Sequence, residues 1–325
     1  MSSTTPTALV LGATGGIGGA IAAALHRQGW AVRALTRDVA RPLDPRYAWI
    51  PGDAMVRADV VAAANGTDVI VHAVNPSGYR NWDSLVLPMI DNTIAAARAA
   101  GARIVLPGTI YNFDPAETPL LDESSPQRPK SRKGRIRAAL ERRLEEASGD
   151  VPSLILRAGD FFGPGARSSW FSQLMVTPGS PVRRIVHPGR RSGHSWAYLP
   201  DLATSFARLL AMRAKLRPFE VLQFEGLFDA DGTAMTAAIR KACGRPDIRV
   251  WSFPWGLMRL LAPFGGFPRE VAEIAPYWRH PVRLDNRRLV ALLGDEPRTP
   301  LATAITLSLA DLGCLPEEPA RHTAA

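Results

Sequence analysis

Cysteine is almost absent: Cys243 and Cys314 stand far apart, and neither has a second cysteine or a paired histidine beside it at ligand spacing. This excludes a disulfide framework and a zinc site, and leaves both thiols as small buried apolar groups. No apolar run reaches the roughly 18 residues that span a bilayer. The Ser/Thr-rich start leads straight into an apolar stretch without a basic n-region or cleavage site, so a cytoplasmic protein without a membrane partner is expected. His187 and His194 lie in a proline-broken segment with no acidic cluster near them, which predicts no metal site. The serine of Gly189-Arg190-Arg191-Ser192-Gly193 has neither the spacing nor the preceding strand of a nucleophile elbow, so no hydrolase is indicated. Internal repeats and low-complexity tracts are missing too.

What is present is an ordinary globular balance, 46% hydrophobic and 21% charged over 325 residues, enough for one large or two modest cores. Lys and Arg number 39 against 30 Asp and Glu, a formal charge of +9 that suits anionic ligands. The densest basic stretch, Arg128 to Arg143, shares its helix with Glu141, Glu145 and Glu146 and has no interleaved aromatics. That pattern favours a solvated face or an anionic-ligand wall over nucleic-acid binding.

The most informative stretch is Ala8 to Ile21, where an apolar strand runs into spaced glycines and then an Ala-rich helix. Gly12 turns the chain off the strand, Gly15 leaves room for a pyrophosphate against the backbone, and Gly18 lets helix and strand pack closely. Thr14, Gly16 and Ile17 complete the loop, and the helix N-terminus offers its free N–H groups to the anion. The spacing predicts a dinucleotide site.

Apolar runs and helical patterns alternate through the first half, which predicts an α/β fold, a Rossmann-type doubly wound parallel sheet. Strands are expected at Ala8–Leu11, Ala31–Leu35, Tyr47–Ile50, Asp68–Ala73, Arg103–Leu106, Ser153–Leu156 and Phe219–Phe224. Helices are expected near Gly16–Arg27, Ala58–Ala64, Trp82–Ala100, Arg135–Ala147, Ser169–Met175 and Pro200–Ala214, with Pro88 kinking the third or marking a late start. Residues 1–160 then form the nucleotide-binding domain, to which the chain returns around 194–225. Residues 161–193 and 226–325 form a smaller substrate-binding region. In the latter, Trp251–Phe267 is rich in aromatic and apolar residues suited to a pocket wall, core packing or a subunit interface.

The second strand ends in Thr36-Arg37, where an acid would hold the ribose hydroxyls of NAD. A guanidinium there takes a 2′-phosphate bidentately, so NADP is preferred over NAD, with Asp38 next to it as the argument for a ribose instead. Asp53, after the third strand, stands where the adenine amino group would lie, or serves as a turn residue.

These segments, with Val69-Ile70-Val71-His72-Ala73, Arg157-Ala158-Gly159-Asp160-Phe161-Phe162-Gly163-Pro164-Gly165 and His194-Ser195-Trp196-Ala197-Tyr198-Leu199-Pro200-Asp201, resemble the short-chain dehydrogenase/reductase superfamily. The resemblance is to its extended and atypical branches, the NAD-dependent epimerase/dehydratase type, and covers most of the chain. It implies a small-molecule substrate, with Ala73 at the cofactor, and leaves a homodimer open. The family's chemistry uses a Ser/Thr after the fifth strand, then Tyr and Lys four residues apart on the next helix. This chain departs at all three: Pro107 takes the hydroxyl's slot with Thr109 two residues on, Lys133 takes the tyrosine's, and Arg137 the lysine's. The resemblance then implies an NADP(H)-dependent oxidoreductase with Lys133 handling the proton, its pKa lowered by Arg137, and Thr109 and Tyr111 binding the reacting carbonyl. Alternatives are a catalytically silent NADP(H) sensor, a sugar-nucleotide-type epimerase and an RNA-associated relative.

Overall fold

In the first strand, neighbouring side chains go to opposite layers. Ala8 and Val10 pack with one set of helices, Leu9 and Leu11 with another, and all four are buried. A strand apolar on both faces belongs inside a sheet covered on both sides. The structure, a computed structural model, describes residues 5–40, 43–76 and 82–315. The ends of the two expected regions, 1–4 and 316–325, lie outside the described residues.

The first half runs β1 (Thr7–Leu11), α1 (Gly16–Arg27), β2 (Ala31–Thr36), β3 (Ala48–Pro51), α2 (Arg57–Ala64), β4 (Val69–His72), α3 (Trp82–Ala100), β5 (Arg103–Thr109), β6 (Leu120–Leu121), α4 (Arg132–Glu146) and β7 (Ser153–Ala158). The second half runs β8 (Asp160–Phe162), β9 (Arg184–His187), β10 (His194–Tyr198), α5 (Leu199–Ala211), β11 (Phe219–Gln223), β12 (Leu227–Asp229), α6 (Ala234–Ala242), β13 (Arg249–Ser252), α7 (Trp255–Leu261), α8 (Gly266–Ala272), β14 (Arg283–Leu284), α9 (Arg287–Leu293) and α10 (Leu301–Asp311).

Seven parallel strands form the main sheet in the order β11-β7-β5-β4-β1-β2-β3. α1 and α5 cover one face through Ile21, Leu25, Leu202 and Phe206; α2, α3 and α4 cover the other through Val60, Ile90, Ile94, Leu140 and Leu144. This is the doubly wound Rossmann arrangement, with the order turning outward in both directions from β1 and β4. The edge strand β11 comes from the second half of the chain. By contrast, β10 joins a separate three-stranded sheet between β8 and β12.

Several local expectations need correction. Pro88 neither delays nor interrupts α3, which runs unbroken from Trp82. α4 begins at Arg132, a turn earlier than expected, because the Ser131 side chain caps it by accepting from the Gly134 N–H at 2.9 Å. Ser169–Met175 is not an α-helix but contains a π-helical turn, Phe171–Met175. Trp251–Phe267 is not, in the main, core: Phe253 is buried, but Trp251, Leu257, Leu260, Phe264 and Phe267 are exposed.

Two buried histidines give the fold an acid limit. His72, at the end of β4, holds Nδ1 2.8 Å from Thr93 Oγ1, whose hydroxyl donates to Met89 O; burial pushes its pKa from 6.5 down to about 3. His187 accepts the Gly189 N–H on Nδ1 at 3.1 Å, and burial lowers it to about 4. Both folded values lie below the unfolded one, so the stability they contribute is full above about pH 6.5 and is lost as the pH falls toward 4. Melting temperatures measured across this range should hold steady near neutrality and drop on the acid side, with a shallower drop in His187→Asn. An identical slope in that variant would remove His187 as a cause.

Candidate functional site

Four strands of the sheet end in one cleft. β1 delivers Gly12, Thr14 and Gly15; β2 delivers Thr36, Arg37 and Asp38; β3 delivers Gly52 and Asp53; β4 delivers Ala73, Val74 and Asn75. Together with Leu85 and Met89 of α3 they line a cleft of about 540 Å³, the size range of small-molecule and cofactor sites. Parallel sheets place ligands at such carboxyl ends, where the strand order reverses.

The glycines divide into two kinds. Gly12 turns at φ +91°, and a Cβ there would meet Ala73 O at 2.6 Å; a Cβ on Gly18 would meet Gly12 O at 2.2 Å. These two are demanded by the protein's own packing. Gly15 is different: a Cβ would meet nothing closer than Gly12 O, at 3.3 Å, so its cleft side is open. Gly15 is also the N-cap of α1, with no side-chain cap and no acid in the first turn. The unsatisfied N–H groups and the helix dipole are thus left for an anion, and a dinucleotide pyrophosphate fits them. Gly16 sets its α-carbon against Gly165 and Ala166 and Ile17 its side chain against the core, so what these two offer the cleft is backbone N–H at the start of α1.

At the other end of the cleft Arg37 is exposed, and the neighbouring Asp38 already accepts the Ala40 N–H on Oδ1 at 3.0 Å. Asp53 accepts the Met55 N–H on Oδ1 at 2.9 Å while its own N–H donates to Asp59 Oδ2. Arg137 reaches the wall of the cleft: Nη2 donates to Asn75 Oδ1 at 3.1 Å, and the guanidinium lies 4.9 Å from the Trp82 ring centroid.

The residues expected to carry the chemistry do not line this cleft. Thr109 ends β5 in register with Ala158 of β7, and its Oγ1 accepts the Tyr111 N–H at 3.4 Å. Tyr111 stands edge-on to Tyr277 at 4.9 Å, and Tyr277 donates its hydroxyl to Tyr111 O and Phe113 O. Lys133 is fully buried. Its Nζ donates to Glu273 Oε2 at 2.6 Å, to Glu270 O at 3.1 Å and to the Glu270 carboxylate, while its N–H donates to Glu273 Oε1 at 2.8 Å. The expectation that Arg137 is the charge acting on Lys133 is corrected here: the charges that meet this ammonium are two carboxylates on or beside α8.

A pair of side chains 34 residues apart in the chain meets just past the Thr109–Ala158 rung. His194 of β10 holds Nε2 2.7 Å from Asp160 Oδ2 of β8, its ring stacked 3.6 Å from Trp278. The histidine is buried and the aspartate is one-sixth exposed, 17%. Asp160 is two residues beyond β7, at the same end of the sheet as Gly12 and Ala73. No spacing rule links positions so far apart in the chain. Both stand in segments that carry the family resemblance, Arg157–Gly165 and His194–Asp201. Deeper still, Arg157 and Glu141 form a buried ion pair, Nη2 to Oε2 2.6 Å, that ties α4 to β7. Among the described residues no cluster of His, Cys, Asp and Glu could hold a metal ion.

Comparison with known proteins agrees with this geometry. Residues 12–149 match a family described as NAD(P)H-binding. The chain is 32% identical over 173 residues to a 3-diazoavenalumate denitrifying reductase from Streptomyces sp, a match that spans 48% of this chain and 57% of that protein. Among solved structures it resembles MoeE5 bound to UDP-glucuronic acid and NAD (TM-score 0.70, 19% identity, 94% of this chain and 98% of that one). A putative epimerase from Burkholderia cenocepacia J2315 superposes with a TM-score of 0.74 at 16% identity over 96% of this chain and 99% of that one. The UDP-glucuronic acid 4-epimerase from Bacillus cereus gives 0.71 at 16% identity, 94% and 98%. At these identities the likeness is one of fold, a doubly wound Rossmann sheet with a second region built on it.

Proposed function

We infer that this chain, an NAD(P)-binding protein with the extended short-chain dehydrogenase/reductase fold, is an NADP(H)-dependent reductase of a small carbonyl or similarly unsaturated substrate. The observation that carries the reading is the cleft that joins an uncapped helix N-terminus and an open Gly15 at one end to Arg37 at the other. Bound there, the nucleotide supplies a hydride. Gly12, Thr14, Gly15 and the start of α1 hold its pyrophosphate, Arg37 its 2′-phosphate, Asp53 its adenine, and Ala73 backs the sugar. Asp38, turned to its own loop, leaves Arg37 to set the preference for NADP over NAD.

A carbonyl that accepts a hydride also needs a proton on its oxygen. Lys133, held between Glu270 and Glu273 and away from the cleft, is poorly placed to give it. We assign that proton to the Asp160–His194 pair, which also lies outside the cleft lining but, unlike Lys133, follows directly on the carboxyl end of a sheet strand, β7, and keeps Asp160 partly exposed: a protonated Asp160 gives the proton and His194 re-protonates it across the 2.7 Å contact. Thr109 and Tyr111, at the end of β5, orient the substrate. The reductase of 32% identity supports reduction over epimerisation. The second reading is a sensor that binds NADP(H) without turnover, favoured by the burial of Lys133 in the slot where the family places its tyrosine.

Fluorescence titration should show NADPH binding at least ~10-fold tighter than NADH, a preference that Arg37→Asp reverses. Equal or tighter NADH binding by the parent protein would sink the NADP assignment. NADPH oxidation is then followed with aldehydes, ketones, enones and 3-diazoavenalumate, and Asp160→Asn should slow carbonyl reduction by roughly 10²-fold or more with cofactor affinity unchanged. Tight NADPH binding with no acceptor turned over would establish the sensor instead.

A further inference from the structure

Half of the large exposed apolar side chains among the described residues fall in one short stretch. Of ten large ones among the described residues, the three most exposed are Phe264 at 87%, Leu260 at 71% and Phe267 at 65%, and Leu257 and Trp251 belong to the same stretch. On α7 and the 3-10 turn that follows it, Leu257, Leu260 and Phe264 recur at i, i+3 and i+7, one side of a helix, and α7 packs on α8, which carries Phe267. Side chains this exposed project from the surface and do not line a groove. A monomeric soluble protein rarely leaves so concentrated a set of aromatic and leucine side chains in water without a use for them.

Charge distinguishes among possible occupants. Arg259 and Arg269 stand on the hairpin itself. Arg249 shares a face of β13 with Trp251, Arg184 lies opposite Arg249 in the β9–β13 pair, and Arg190 donates to Val250 O at 3.4 Å. None of these five guanidinium groups is in an ion pair among the described residues. The hairpin's own acids, Glu270 and Glu273, turn inward to Arg132 and Lys133, so its outer side is left cationic.

We propose that the α7–α8 hairpin docks the protein on an anionic phospholipid surface. Leu260, Phe264 and Phe267 enter the boundary between headgroups and acyl chains, and the surrounding arginines meet lipid phosphates. A second copy of the chain fits less well, because twofold pairing of this face sets arginine against arginine with no carboxylate between them. The formal charge of +9 acts in the same direction over longer range.

Co-sedimentation of the full chain with vesicles of phosphatidylcholine, alone or mixed with phosphatidylglycerol, tests this. Binding should be at least ~10-fold stronger to the anionic vesicles and should weaken with salt. Leu260→Asp with Phe264→Asp should abolish it, and Arg259→Gln with Arg269→Gln should reduce it by roughly tenfold, both variants keeping the parent's melting temperature. No binding to anionic vesicles, or equal binding to both compositions, overturns the proposal. So does a dimer in light scattering that Phe264→Asp dissociates, which would give the face to a second copy.

Discussion

Gly15→Ala should keep its stability and lose affinity for the nucleotide, whereas Gly18→Ala should melt several degrees lower than the parent. The two residues sit in one loop and carry the same substitution, yet the added methyl meets different things. At Gly18 it lies 2.2 Å from Gly12 O and 2.7 Å from Gly12 C, backbone atoms held in turn by Ala73 across the sheet. α1 must then move off β1, and overpacking of this kind costs about 1–3 kcal/mol, at the upper end where the obstacle is backbone. At Gly15 the backbone is already in an extended conformation that any residue adopts, and the one close atom, Gly12 O, is 3.3 Å away. The methyl instead enters the cleft where the anion must approach the N–H groups. An affinity loss of roughly a hundredfold, about 2.7 kcal/mol, is expected there with little change in melting temperature. Thermal melts and NADPH titrations on both variants give the answer. Parallel losses of stability and affinity in Gly15→Ala would show that this glycine too serves the protein's own packing.

Lys133→Met is expected to be the most destabilising change among the residues that the sequence marked as catalytic. It removes an ammonium with no solvent exposure and leaves Glu270 and Glu273, each less than one-fifth exposed, with Arg132 as their remaining countercharge among the described residues. Breaking a buried pair from one side costs about 3–5 kcal/mol, and the partial hydration of the two carboxylates argues for the lower figure. Urea denaturation of the single variant, set against one that also carries Glu270→Gln and Glu273→Gln, separates burial from charge: the triple variant should recover most of the loss. Unchanged stability together with a collapsed reduction rate would return Lys133 to the proton-handling role that its place on α4 suggested.

What could be read from the chain, and what could not, follows the distance over which each feature is determined. The glycine loop is a local requirement, set by a strand, a turn and a helix within a few residues, so Gly12, Gly15 and Gly18 announce themselves. The strands of the large sheet are apolar on both faces and bounded by turn residues, and their expected bounds differ from the observed ones by one to three residues. Lys133 could not be read this way. Its partners lie 137 and 140 residues downstream, in a proline-broken third of the chain without a periodic pattern. Asp160 and His194 meet only because β8 and β10 pair in parallel. The exposure of Leu260 and Phe264 was equally hidden, since composition cannot tell an apolar segment that is covered from one that is not.

The edge strand β11 bears on how the protein is made. Every residue of β7 is buried, and one of its two neighbours in the sheet, β11, is a strand that the ribosome reaches only after the whole stretch from Asp160 to Pro218. At ordinary synthesis rates the nascent chain carries an open, apolar strand edge for a time on the order of seconds. A chain that ends between Ala158 and Phe219 keeps that edge open, and is expected to aggregate more readily than the full chain although its glycine loop is complete.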